Sequence, residues 1–110
     1  MSFDFIAIPG ATIVGVDNTK EFPKDFSLSQ NYPNPFNPVT IINYSVPERT
    51  HVLIKVYDTL GSEVAILVNK EKNAGSYSIN FNASNISSGV YFYSIKACDF
   101  FANKKMILLK

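Results

Sequence analysis

Three prolines fall within six residues, Pro33, Pro35 and Pro38, interleaved with asparagines and aromatics, and they sit directly before an alternating run, Val39–Val46. Proline fixes φ and lacks a backbone donor, so residues 31–38 cannot lie in a central ladder. The segment is expected to be a stiff, extended lead-in to a strand, and Pro47 ends that strand.

Beyond this point the hydrophobic period is two almost everywhere. Residues 39–46 place Ile42, Tyr44 and Val46 on one face, with Asn43 and Ser45 on the other. Residues 51–58 alternate Val52, Ile54 and Val56 against Leu53, Lys55 and Tyr57. In residues 76–82, Tyr77, Ile79 and Phe81 are separated by Ser78 and Asn80. Such alternation predicts antiparallel strands with one buried and one wet face, and no window of helical length holds a 3.6-residue period. Strands are expected at 26–30, 39–46, 51–58, 63–69, 76–82, 90–97 and 103–109. Turn signals separate them: Asp58-Thr-Leu-Gly61, Asn73-Ala-Gly75 and Ser87-Ser-Gly89. Seven short strands with turns roughly every ten residues predict an all-β, immunoglobulin-like two-sheet antiparallel β-sandwich. The cysteine pair and core tryptophan of antibody domains are missing, so only the architecture is implied.

A chain of 110 residues holds one ordinary domain, expected at 26–110, after a leader at 1–25. Residues 3–16 alternate weakly before Pro9-Gly10 and read as the tail of a preceding domain or an extra edge strand. Residues 17–25 are polar and charged, as in a linker. Residues 5–16 make a poor signal peptide, since Asp4 precedes them and no basic region does; the chain reads as a C-terminal fragment of a longer protein. The net charge of +1 gives no bulk argument for nucleic acid or an anionic membrane. No apolar run is long enough for a spanning helix, so membrane insertion is not expected. A lone cysteine, Cys98, permits no internal disulfide.

The sequence is poor in catalytic patterns. His51 is the sole histidine and has no partner at metal-ligand spacing, so it reads as an exposed strand-edge residue. No Gly-x-Ser-x-Gly elbow accompanies it. Asp58 has a turn to cap, while Glu63 and Glu71 read as solvated surface carboxylates. Cys98 reads as an inert or half-buried thiol. Gly61, Gly75 and Gly89 are separate turn glycines with no helix behind them to cradle a phosphate. Tyr91, Phe92 and Tyr93 offer either core packing or a stacking platform for sugar, and alternation favours the core for Tyr91 and Tyr93. No enzyme activity, metal or cofactor is expected.

The proline segment, Val56-Tyr-Asp-Thr-Leu-Gly61, Ala74-Gly-Ser-Tyr77, Ser87-Ser-Gly-Val-Tyr91 and the tail Lys104-Lys-Met-Ile-Leu-Leu-Lys110 occur in that order. Together they resemble the C-terminal sorting domain of proteins exported by the bacterial type IX secretion system. That family is itself similar to the immunoglobulin-like domain of the flagellar hook-capping protein. The resemblance covers about residues 26–110. It implies a non-catalytic address that directs an N-terminal cargo through the type IX translocon. A sortase-like protease would then cut in the polar leader, at 17–28, and leave the cargo secreted or on the surface of a Gram-negative bacterium. It further implies translocon recognition through Gly89 and Tyr91 and through the basic tail, Lys104, Lys105 and Lys110. The tail has a plainer reading beside this one: Lys104 and Lys105 guard an edge strand while Met106 to Leu109 fill the core. An immunoglobulin-like interaction module, binding carbohydrate or serving assembly or adhesion, is the alternative function.

Overall fold

The computed structural model describes residues 23–110. The expectations for residues 1–22, including the leader's weak alternation, lie outside the described residues.

Seven strands follow one another: β1 (Ser27–Leu28), β2 (Val39–Val46), β3 (Thr50–Tyr57), β4 (Glu63–Lys72), β5 (Gly75–Asn82), β6 (Gly89–Ala97) and β7 (Phe100–Leu108). They form an antiparallel three-stranded sheet, ordered β1-β2-β5, and an antiparallel four-stranded sheet, ordered β4-β3-β6-β7. The described residues contain no helix. This is the expected β-sandwich of immunoglobulin type.

Strand alternation decides the core. Ile42, Tyr44 and Val46 from β2 meet Val52, Ile54 and Val56 from β3 and Tyr93, Ile95 and Ala97 from β6, all buried. Met106 and Leu108 of β7 complete the layer, whereas Leu109 is 54% exposed. The tail therefore does not fill the core continuously from Met106 to Leu109. A strand turns only every second residue inward.

Three ends differ from expectation. The first strand is only two residues long, although the chain stays beside β2 as far as Tyr32: Ser29 donates its N–H to the Asn43 carbonyl at 2.9 Å, and Tyr32 forms an isolated antiparallel bridge with Ile41. In β4, pairing with β3 continues to Lys72, past two register shifts at Ile54/Lys55 and Val56/Tyr57. Strand β7 starts at Phe100 because Cys98 adopts a φ of 55° and, with Asp99, turns the chain in two residues. That places Cys98, expected to be an inert or half-buried thiol, exposed at a hairpin tip.

The other turns use the chemistry expected of them. One Asp58 carboxylate oxygen accepts the backbone N–H groups of Leu60 and Ser62, both at 2.9 Å, and Gly61 supplies a φ of 85°. Gly89 opens β6 with a φ of 153°, a conformation nearly closed to residues with a Cβ.

Two buried phenols respond to alkali. Burial pushes Tyr93 up to about 12, partly opposed by the backbone of Asn31. Burial also pushes Tyr44 up to about 12, and its stacked neighbour Tyr77, with ring centroids 5.2 Å apart, adds to the rise.

Two outcomes follow from these features. Replacing Gly89 by Val forces a branched side chain into that backbone conformation and should destabilise by about 1–3 kcal/mol, read by denaturant unfolding. An unchanged midpoint would contradict the turn geometry. In alkali, a phenol whose folded pKa lies above its unfolded value contributes stability fully only below the unfolded value, about 10. Unfolding free energy should thus decline as pH rises from about 10 towards 12, and Tyr93→Phe should flatten that decline.

Candidate functional site

Strand β7 is the outermost strand of the four-stranded sheet, with β6 on one side only. An edge strand leaves every second residue's N–H and C=O without a partner. On β7 both backbone groups of Ile107 point away from β6, and alternation places those of Phe101, Asn103 and Lys105 on the same side.

The proline segment closes the last part of this edge. Phe36 donates its backbone N–H to the Ile107 carbonyl at 2.9 Å, and its own carbonyl accepts the Leu109 N–H at 2.9 Å. Between them, the Asn34 side-chain oxygen accepts the Ile107 N–H at 3.0 Å. The Gln30 side-chain amide donates to the Lys105 carbonyl at 2.7 Å. Phe36 makes a parallel bridge to Leu108 and buries its ring against Phe81, with centroids 6.2 Å apart. The segment is not a simple extended lead-in. It bends at residues 33–35 and again at 37–38, and the bends let Phe36 turn inward while its backbone serves the strand edge.

A buried polar pair holds the bends. The Asn31 side-chain amide donates to Thr40 Oγ1 at 3.0 Å and to the Pro33 carbonyl at 3.1 Å, and Thr40 Oγ1 donates to the same carbonyl at 2.9 Å. Asn31 and Thr40 are both buried, so leaving these groups unpaired would cost about 1–3 kcal/mol each.

The five residues expected to form the recognition site do not make one exposed patch. Gly89 pairs with Leu108 at one end of the hairpin. Lys110 lies at that same end, its backbone N–H donating to Ser88 Oγ at 3.0 Å and its ammonium to the Ser84 carbonyl at 2.7 Å. Tyr91 packs inward opposite Met106 and donates its hydroxyl to the Ser87 carbonyl at 2.6 Å, four residues upstream. Lys104 is half-buried on the inward side, opposite Tyr93, while Lys105 is exposed on the outward side, opposite Phe92. Sequence reasoning missed Gln30, Asn34 and Phe36 as partners of the tail. The only available signal was that an asparagine between two prolines has neighbours without backbone donors.

Elsewhere the chemical candidates are surface groups. Tyr91 and Tyr93 are buried, so they form no exposed platform with Phe92. His51 Nε2 lies 2.7 Å from Asn69 Oδ1. Glu71 pairs with Arg49 at 2.8 Å, and Glu63 pairs with Lys55 at 3.0 Å. The hydrogen bond and charge of Glu63 raise the affinity of the Lys55 ammonium for its proton. Among the described residues no three of His, Cys, Asp and Glu gather as a metal site. Among the same residues no helix is long and apolar enough to cross a membrane.

A family model described as the secretion system C-terminal sorting domain matches residues 30–109. The match takes in the proline segment and every strand from β2 to β7. Comparisons with curated proteins and with solved structures return no match. With well over half of its length matched, the chain belongs to the secretion system C-terminal sorting domain family.

Proposed function

We propose that residues 26–110 are the address read by the type IX translocon, and that the reading surface is the clasped C-terminal strand. Membership of the family makes the chain a sorting signal for type IX secretion and implies export to the surface or medium. The finer reading assigns separate roles to the five residues. Lys105 and Lys110, both exposed, present cations to the translocon, and Lys104 adds a third, half-buried, on the opposite side of the sheet from Lys105. Gly89 and Tyr91 act as positioning residues, the first by its backbone conformation and the second by its hydroxyl contact to Ser87. The domain itself performs no reaction. An N-terminal cargo precedes it, and a sortase-like protease cuts in the leader, at 17–28, where unpaired backbone can enter a protease cleft. The cargo is then released or joined to surface lipopolysaccharide.

The observation that carries this reading is the family match over a segment containing both the clasp and the strand it holds. A platform held at Lys105, Ile107 and Leu109 offers side chains in fixed positions, so a partner need not order a loose tail.

The test is a fusion of residues 17–110 behind an exported reporter, in a bacterium with a working type IX system. The intact fusion should reach the surface or medium, and one lacking 104–110 should remain periplasmic. Because Met106 and Leu108 belong to the core, the truncation also unfolds the sandwich. A Lys105→Glu, Lys110→Glu double variant separates the two effects, since both side chains are exposed. It should melt close to the parent and still be retained. Periplasmic retention of the folded, intact fusion contradicts the reading; normal export of the folded double variant contradicts the role of the lysines.

A further inference from the structure

The outward face of the four-stranded sheet carries a groove whose lining holds none of the five residues assigned to sorting, with Lys105 at its rim. Strand register places three residues in line on the outward side: Tyr57 of β3, Phe92 of β6 and Lys105 of β7. The next line is Lys55, Ser94 and Asn103, and the one after is Leu53, Lys96 and Phe101. Between the first and third lines lies an open cavity of about 400 Å³, lined by Tyr57, Phe92 and Phe101 together with Ser94, Asn103 and the Asp58–Thr59 turn. Phe101 is 62% exposed and Phe92 37% exposed, although a β-sandwich has an interior for both. Phe92 lies opposite Lys105, four residues from Phe101, so the two aromatics stand about 13 Å apart along the strands.

The geometry points to a binding site for a short, neutral oligosaccharide. Aromatic faces at both ends present apolar surface of the kind that packs on the C–H face of a sugar ring. Between them the Ser94 hydroxyl and Asn103 amide form a cross-strand pair, where they meet hydroxyls as donor and acceptor. The cavity falls in the size range of small-molecule sites, and its mix of apolar walls with a few convergent polar groups is what such sites use for orientation.

Charge narrows the ligand further. No lysine or arginine is among the lining residues, and the single acid, Asp58, already accepts two turn N–H groups through one oxygen. The lining itself offers several partners for neutral hydroxyls and no cation; of the lysines at its rim, Lys55 is paired with Glu63, and Lys105 and Lys96 stand opposite Phe92 and Phe101. The opposite face of the sandwich makes the contrast. There Ser27 meets Ser45 at 2.6 Å, and Ser78 donates to Asn43 at 2.5 Å, so its polar groups satisfy one another across the strands. A cavity on that face has polar lining in excess and no pair of exposed aromatic ends.

This assignment is independent of export. It is tested on the intact chain by following backbone amide signals during titration with cello-, chito-, xylo- and laminari-oligosaccharides. Phe92→Ala and Phe101→Ala remove outward side chains and should leave the core intact, as thermal melting checks. Ile41→Ala, on the three-stranded sheet, is the control. One neutral series should bind saturably at millimolar sugar or tighter, shifting signals of residues 57–59, 92–94 and 101–103. Its affinity should fall about tenfold or more in either groove variant and stay unchanged in the control. No binding at millimolar sugar overturns the assignment. So does binding confined to acidic glycans, binding that survives both groove substitutions, or a groove that takes extended peptides in place of sugars.

Discussion

The backbone of Phe36 is where the two halves of this structure are joined. A sandwich closes its core with side chains but leaves its outer strands with unpaired polar groups, and β7 is such a strand at the very end of the chain. Phe36 meets this problem with a donor and an acceptor in sequence, 2.9 Å from Ile107 and 2.9 Å from Leu109. Its ring meanwhile sits in the core at 1% exposure. Burial of the ring and pairing of the backbone support each other. The ring cannot enter unless the segment bends, and the bend persists because Asn31 and Thr40 satisfy the Pro33 carbonyl inside it.

Closure of this edge has a consequence for recognition. From the Lys105 carbonyl to the Leu109 N–H the outward backbone groups are already taken, which blocks a partner from adding a strand to that part of β7. It meets side chains on a fixed frame: Lys105 on the outward side, with Leu109 and Lys110 at the end. Open backbone remains further back, along Phe101 and Asn103, beside the aromatic groove. The two regions adjoin at Lys105, which stands opposite Phe92, so substitutions at Lys110 and at Phe101 are the ones that address each separately.

Most of the frame was legible in the sequence because alternation in an antiparallel sheet is local. Ile42, Tyr44 and Val46 could be assigned inward from neighbours two residues away, and Asp58 and Gly61 could be assigned to a turn from four. The residues that escaped are those whose role depends on contacts remote in sequence. Asn34 finds Ile107 73 residues away, and nothing in its neighbours specifies that partner. The lysine tail reads as one feature in the sequence, whereas alternation turns Lys104 and Lys105 to opposite sides of the sheet. The start of β7 escaped because Cys98 adopts a left-handed backbone, for which asparagine, aspartate or glycine is the usual signal. The outward aromatics were only partly visible. Phe92 stood out in its aromatic run, but its grouping with Tyr57 and Phe101 depends on strand register, which a single strand does not reveal.

Amide hydrogen exchange along β7 tests the clasp most directly. The N–H groups of Ile107 and Leu109 should be strongly protected, because the Asn34 side chain and the Phe36 carbonyl accept them. Those of Phe101 and Asn103, on the same outer edge but beyond the clasp, should exchange rapidly. Uniformly rapid exchange at all four would mean that the proline segment does not hold the terminal strand, and the account of a pre-formed recognition platform would fail with it.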